Sequence, residues 1–84
     1  MEVQIGSLLK IDLSSNEALY FKVVKSELTA VGIKQICTFR RGILKRYPSD
    51  LPCSYIYKSE LGVRYYPVED DEKSWLREMY KKST

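Results

Sequence analysis

Residues 33–47 read Ile33-Lys34-Gln35-Ile36-Cys37-Thr38-Phe39-Arg40-Arg41-Gly42-Ile43-Leu44-Lys45-Arg46-Tyr47. The stretch carries five Lys or Arg and no acid. Wound as a helix at about 100° per residue, it divides into two faces. Ile36, Phe39, Ile43 and Tyr47 follow one another at spacings of three and four and make an apolar stripe. Lys34, Thr38, Arg41 and Lys45 keep the same spacing on the opposite side. The reading is an amphipathic helix from Ile33 or Lys34 to Arg46, apolar behind and basic in front, suited to a polyanion. Gly42 costs such a helix roughly 1 kcal/mol relative to alanine. Tyr47-Pro48 ends it, because a residue before proline avoids the helical region.

The sequence to the N-terminal side is less decided. Val3 to Leu13 reads as one strand bent at Gly6. After it, Ser14 and Glu17 fit a capping box. Phe21, Val24, Leu28 and Val31 then continue at helical spacing to Gly32, which gives one helix over 15–31. The competing reading puts a strand at 18–24, favoured by Tyr20, Phe21, Val23 and Val24, and a short helix from Ser26 to Val31. On the C-terminal side, residues 48–52 form a connector. Residues 54–58 and 63–67 are Tyr-rich runs that predict a β-hairpin. Glu69, Asp70, Asp71 and Glu72 then set four acids at the start of a last helix, where the helix dipole favours anions. Trp75, Leu76, Met79 and Tyr80 are its candidate core residues, and Lys81 and Lys82 close it.

A helix ending in glycine, a turn, a basic helix, a connector, a hairpin and a helix follow the order of a helix-turn-helix with a wing. Residues 26–41, SELTAVGIKQICTFRR, resemble the helix-turn-helix of the excisionase and MerR-like winged-helix group. Ala30, Gly32-Ile33, Thr38, Arg40 and Arg41 match it in kind. Residues 62–76, GVRYYPVEDDEKSWL, resemble that group's wing strand and acidic closing helix. The resemblance covers residues 24–80. It implies a non-enzymatic protein that binds duplex DNA, as a recombination-directionality factor or a transcriptional regulator of phages or mobile elements. The fold expected is α+β, a winged helix-turn-helix with an N-terminal strand, a β-hairpin wing and a C-terminal helix. The alternative is a small SH3-like β-barrel with a C-terminal helix, acting as a protein-interaction module. It has strands at 5–11, 18–24 and 33–41 and the tyrosine hairpin as its last pair. Against it, Ile33 and Ile36 would point to opposite faces of a regular strand. A small viral inhibitor of a host protein is a third reading.

The candidate DNA-binding residues follow from these placements. Lys34, Thr38 and Arg41 would face base edges. Arg40, Lys45 and Arg46 would reach phosphates. Lys58 and Arg64 would serve the wing. The competing explanation is a solvated helix face, and the lack of any acid between residues 28 and 49 argues against it. Tyr55, Tyr57, Tyr65 and Tyr66 suit either cross-strand packing or a platform for unpaired bases.

Composition bounds the rest. Eighty-four residues make one small domain, 44% hydrophobic and 30% charged, with net charge +3. Residues 1–47 hold eight basic and four acidic groups, and residues 48–84 hold six and seven. The positive potential thus belongs to the first half. There is no histidine, which removes the commonest general base and metal ligand. Cys37 and Cys53 lack metal-type spacing and read as reduced thiols in a cytoplasmic protein. No apolar run is long enough for a membrane span. No cofactor or small-molecule substrate is expected. Self-association or cooperative arrays on DNA are, because one such module buries only ~600–1,000 Å².

Overall fold

The computed structural model describes residues 2–82. Its strands are β1 (Leu8–Ser14), β2 (Glu17–Ser26), β3 (Ala30–Arg40), β4 (Ile43–Arg46), β5 (Ser54–Tyr57) and β6 (Tyr66–Pro67), and its one α-helix is α1 (Asp70–Lys82). The pairings run β4-β3-β2-β1-β6, all antiparallel. β5 lies in line with β4 on the free edge of β3, opposite residues 30–33, while β4 takes residues 37–40. The winged helix-turn-helix is therefore not the fold. Neither form of its first helix, 15–31 or the short one at 26–31, is present, nor is the second at 33–46: these residues form strands joined by turns.

The basic stretch forms a hairpin. Arg41 and Gly42 take φ of 51° and 82°, the left-handed pair of a two-residue type I′ turn, so Gly42 sits at a tip and not inside a helix. Ser14 does not cap a helix either. Its hydroxyl meets the Asn16 side chain at 2.9 Å in the turn between β1 and β2. The alternative reading had strands at 18–24 and 33–41, and β2 and β3 occupy those positions. The tyrosine runs do not pair with each other as either reading expected. β5 joins β3 and β6 joins β1.

One residue explains the irregular pattern of β3. Tyr20 pairs with Cys37 and Phe21 with Gln35, which leaves Ile36 without a cross-strand partner. This is a β-bulge, one extra residue that resets which face the following side chains take. Before it, Val31 and Ile33 pack with Leu9, Val23, Ile56 and Leu61 on one face. After it, Cys37 packs with Ala18, Tyr20, Leu44, Val68 and Leu76 on the other. The sheet therefore has two cores. The segment 56–65 covers one, with Phe21 and Tyr65 edge-on at 5.5 Å. Helix α1 covers the other, with Phe39 and Trp75 edge-on at 4.8 Å.

The expected last helix is present. Leu76 is its one buried residue, Met79 and Tyr80 are half-buried, and Trp75 lies at the rim. Glu72 clamps it to the sheet. Its carboxylate accepts the Tyr20 hydroxyl at 2.6 Å and the Lys10 ammonium at 2.7 Å. The hydrogen bond from Glu72 is the main cause that raises the Lys10 pKa. Burial, then the Glu72 carboxylate, pushes the Tyr20 phenol well above its ordinary value.

The clamp predicts an alkaline weakness. The Tyr20 phenol ionises near pH 10 when unfolded and stays protonated when folded, so its contribution is intact below that pH and declines above it. Tyr20→Phe should cost about 1–2 kcal/mol near neutrality and flatten the loss of stability above about pH 10. Urea titrations of both proteins across that range test this. Unchanged stability at neutral pH would contradict the clamp.

Candidate functional site

The face of the sheet that carries α1 is only partly covered by it. Ladder registers show what remains. Leu8 faces Lys22, which faces Lys34, on three neighbouring strands. One pleat along, Tyr20, Cys37 and Arg46 line up in the same way. Lys22, Lys34 and Arg46 thus come to one side of the helix from β2, β3 and β4. They line a cleft of about 340 Å³ together with Val24, Ile36, Tyr47, Ser49 and Tyr80. No acidic side chain lines it.

Ile36 joins the walls. Skipped by β2, it continues the β3–β4 ladder on its other edge, where its carbonyl oxygen accepts the Tyr47 N–H at 3.0 Å, and that oxygen also accepts the Tyr80 hydroxyl at 3.3 Å. The turn after β4 and the last part of α1 are therefore tied to the same atom, and the cleft closes there. Arg46 lies over the Tyr80 ring at 4.7 Å, a cation–π contact that orients both. The Lys34 ammonium donates to the Ser49 carbonyl at 3.2 Å, which holds it at the rim. Burial raises the pKa of the Cys37 thiol behind this wall, so it is kept protonated and inert.

Beyond the helix the same face continues over β2, β3 and β5. Lys25 pairs with Gly32, and Gly32 with Tyr55. A Cβ on Gly32 would sit 3.2 Å from the Lys25 Cβ and 3.4 Å from Tyr55 Cε1, so glycine is what lets that ring approach β3. A hydrogen bond with Tyr55 raises the Lys25 pKa. Tyr55 and Tyr57 are both exposed. The opposite side of α1 has the reverse character, a shallow hollow lined by Asp12, Glu17 and Glu72 beside Trp75.

The expected DNA-binding residues do not gather on one surface. Lys34 and Arg46 meet in the cleft. Thr38 and Lys45 pair with each other on the opposite face, because the bulge lies between Lys34 and Thr38. Arg40 faces Glu17 at 3.5 Å, and Arg41 stands at the hairpin tip. Lys58 lies in a short 3₁₀ turn and Arg64 in the turn before Tyr65, both away from the cleft. Lys22, Tyr47 and Tyr80 were not legible as site residues. Tyr47 and Tyr80 had only local roles and Lys22 had none, since nothing short of the β2–β3 register brings Lys22 beside Lys34. Among the described residues, no three His, Cys, Asp or Glu side chains gather as metal ligands would, and no helix is long and apolar enough to cross a membrane.

Compared with family models, curated proteins and solved structures, the chain matches none.

Like charges directly opposite on neighbouring strands are destabilising, by an amount within the ~0.2–1 kcal/mol range of such pairs. Lys22→Glu should therefore raise stability by about 0.5 kcal/mol at low salt, through attraction to Lys34. The gain should vanish near 1 M salt, where the screening length is about 3 Å. Thermal melts at both salt concentrations measure it. A destabilised variant would mean that the two lysines do not feel each other.

Proposed function

We propose that the chain binds single-stranded nucleic acid along the uncovered part of its helix-bearing face and performs no chemistry. The supporting observation is the cross-strand pair Lys22–Lys34, joined by Arg46 in one cleft with no acid among its lining residues. Such a cluster costs stability, and a phosphate backbone is the partner that offsets it. Exposed Tyr55 and Tyr57 lie further along this face, beside Lys25, and give unpaired bases surfaces on which to stack. Cations that follow the backbone and rings that hold the bases are the usual pairing in single-strand recognition. It tolerates sequence, because every base has a π face. Helix α1, the one α-helix among the described residues, begins with Asp70, Asp71 and Glu72 and so repels the phosphates flanking a major groove. Duplex reading by a recognition helix is not part of this proposal.

A second reading keeps the duplex. The β3–β4 tip projects Arg41 beside Ile43, which is 71% exposed. Cations next to an apolar wedge suit a minor groove.

One experiment tests both. The affinity of a short labelled single strand should fall with salt at a slope of about −2, from about 0.7 for each of three phosphates. Changing Lys22, Lys34 and Arg46 together to Ala should remove most binding. Tyr55→Ala with Tyr57→Ala should weaken it by about 1–3 kcal/mol per lost stack. Lys58→Ala with Arg64→Ala should leave it unchanged. A duplex that outcompetes the single strand and depends on Arg41 and Ile43 would favour the second reading. A salt-independent signal would exclude both.

A further inference from the structure

The cleft is blind, and this bears on what enters it. Its two walls, the Tyr47–Ser49 turn and the Tyr80 end of α1, converge on the Ile36 carbonyl oxygen. The Tyr80 ring separates it from a neighbouring hollow that Lys73 and Arg77 border. The ring and the Ile36 carbonyl thus stand between the two hollows, at the end of the cleft away from the exposed tyrosines.

The charge in the cleft points the same way. Three cations come from three adjacent strands, Lys22, Lys34 and Arg46. An internal phosphodiester carries one negative charge. A terminal phosphate monoester carries close to two near neutral pH, with three acceptor oxygens. Arg46 supplies a planar fork that suits two of those oxygens, and the lysines act as point charges. A volume of about 340 Å³ is at the small end of ligand sites, enough for one terminal nucleotide.

We propose that this blind cleft captures the phosphate-bearing end of a single strand, with the following bases leading outward over Tyr55 and Tyr57. The inference rests on the single-strand reading and narrows it from a track to an end-recognition site.

The test compares strands of one sequence that differ only at the ends: 5′-phosphate, 3′-phosphate, hydroxyl at both ends, and a closed circle. One phosphorylated end should bind at least about tenfold tighter than the hydroxyl-ended strand, and the circle should bind no better than the latter. Lys34→Ala and Arg46→Ala should each erase this preference, while Lys22→Arg, which keeps the charge, should retain it. The groups around the cleft are Lys22, Lys34, Arg46, Tyr47 and Tyr80, and the chain has no histidine. The second ionisation of the phosphate, near pH 6, is then what titrates, and the preference should shrink on going from pH 7.5 to pH 5. Equal affinity for all four strands would overturn end recognition and leave single-strand binding standing. No binding by any strand, with the fold intact by circular dichroism, would overturn the broader reading as well. Equally tight binding of inorganic phosphate alone would show an adventitious anion site and overturn the claim that the ligand is a strand end.

Discussion

The pairing of β2 with β3, with one residue too many on β3, is the constraint on which the rest of this structure depends. Ile36 has no cross-strand partner, and the faces of β3 exchange at that point. Val31 and Ile33 can then join one core while Cys37 joins the other, although all four positions from 31 to 37 in steps of two would share a face in a regular strand. A chain of 84 residues thereby covers a single sheet on both sides, one by a loop and one by a helix. On its other edge Ile36 continues the β3–β4 ladder, and its carbonyl accepts both the Tyr47 N–H and the Tyr80 hydroxyl. The bulged residue is thus also the one to which the turn after β4 and α1 are tied.

Energetically, the helix-bearing face divides its labour. Under α1 it is apolar, sealed by Leu76 and clamped by Glu72 to Tyr20 and Lys10. On one side of the helix lie carboxylates, Asp12 and Glu17. On the other lie cations that repel one another. Packing requires none of these lysines to be adjacent. Lys22 and Lys34 thus stand opposite each other at a cost in stability that the packing around them does not require.

The sequence was legible where local rules and tertiary structure agreed. The last helix could be read because acids open it, lysines close it and Leu76, Met79 and Tyr80 keep helical spacing. β3 was legible as a strand only in the alternative reading, for a definite reason. A bulge breaks the two-residue alternation that marks a strand, and here the spacing of Ile36, Phe39, Ile43 and Tyr47 happens to imitate a helix. Arg41-Gly42 marks a hairpin turn, but inside a supposed helix Gly42 reads only as a cost. The basic character of the segment was read correctly and its geometry was not. Lys34 and Arg46 remain together because strands β3 and β4 fold back on each other, while Thr38, Arg40 and Lys45 are carried elsewhere. Lys22 lies twelve positions from Lys34 in sequence and only a ladder register connects them.

The most direct measurement is the cross-strand pattern of nuclear Overhauser effects between β2 and β3 in the isotopically labelled protein. The expected contacts pair Tyr20 with Cys37 and Phe21 with Gln35, skip Ile36, and place Lys22 beside Lys34. Sequential helical contacts through residues 33–46, or an unbroken register that pairs Tyr20 with Ile36, would contradict this pairing.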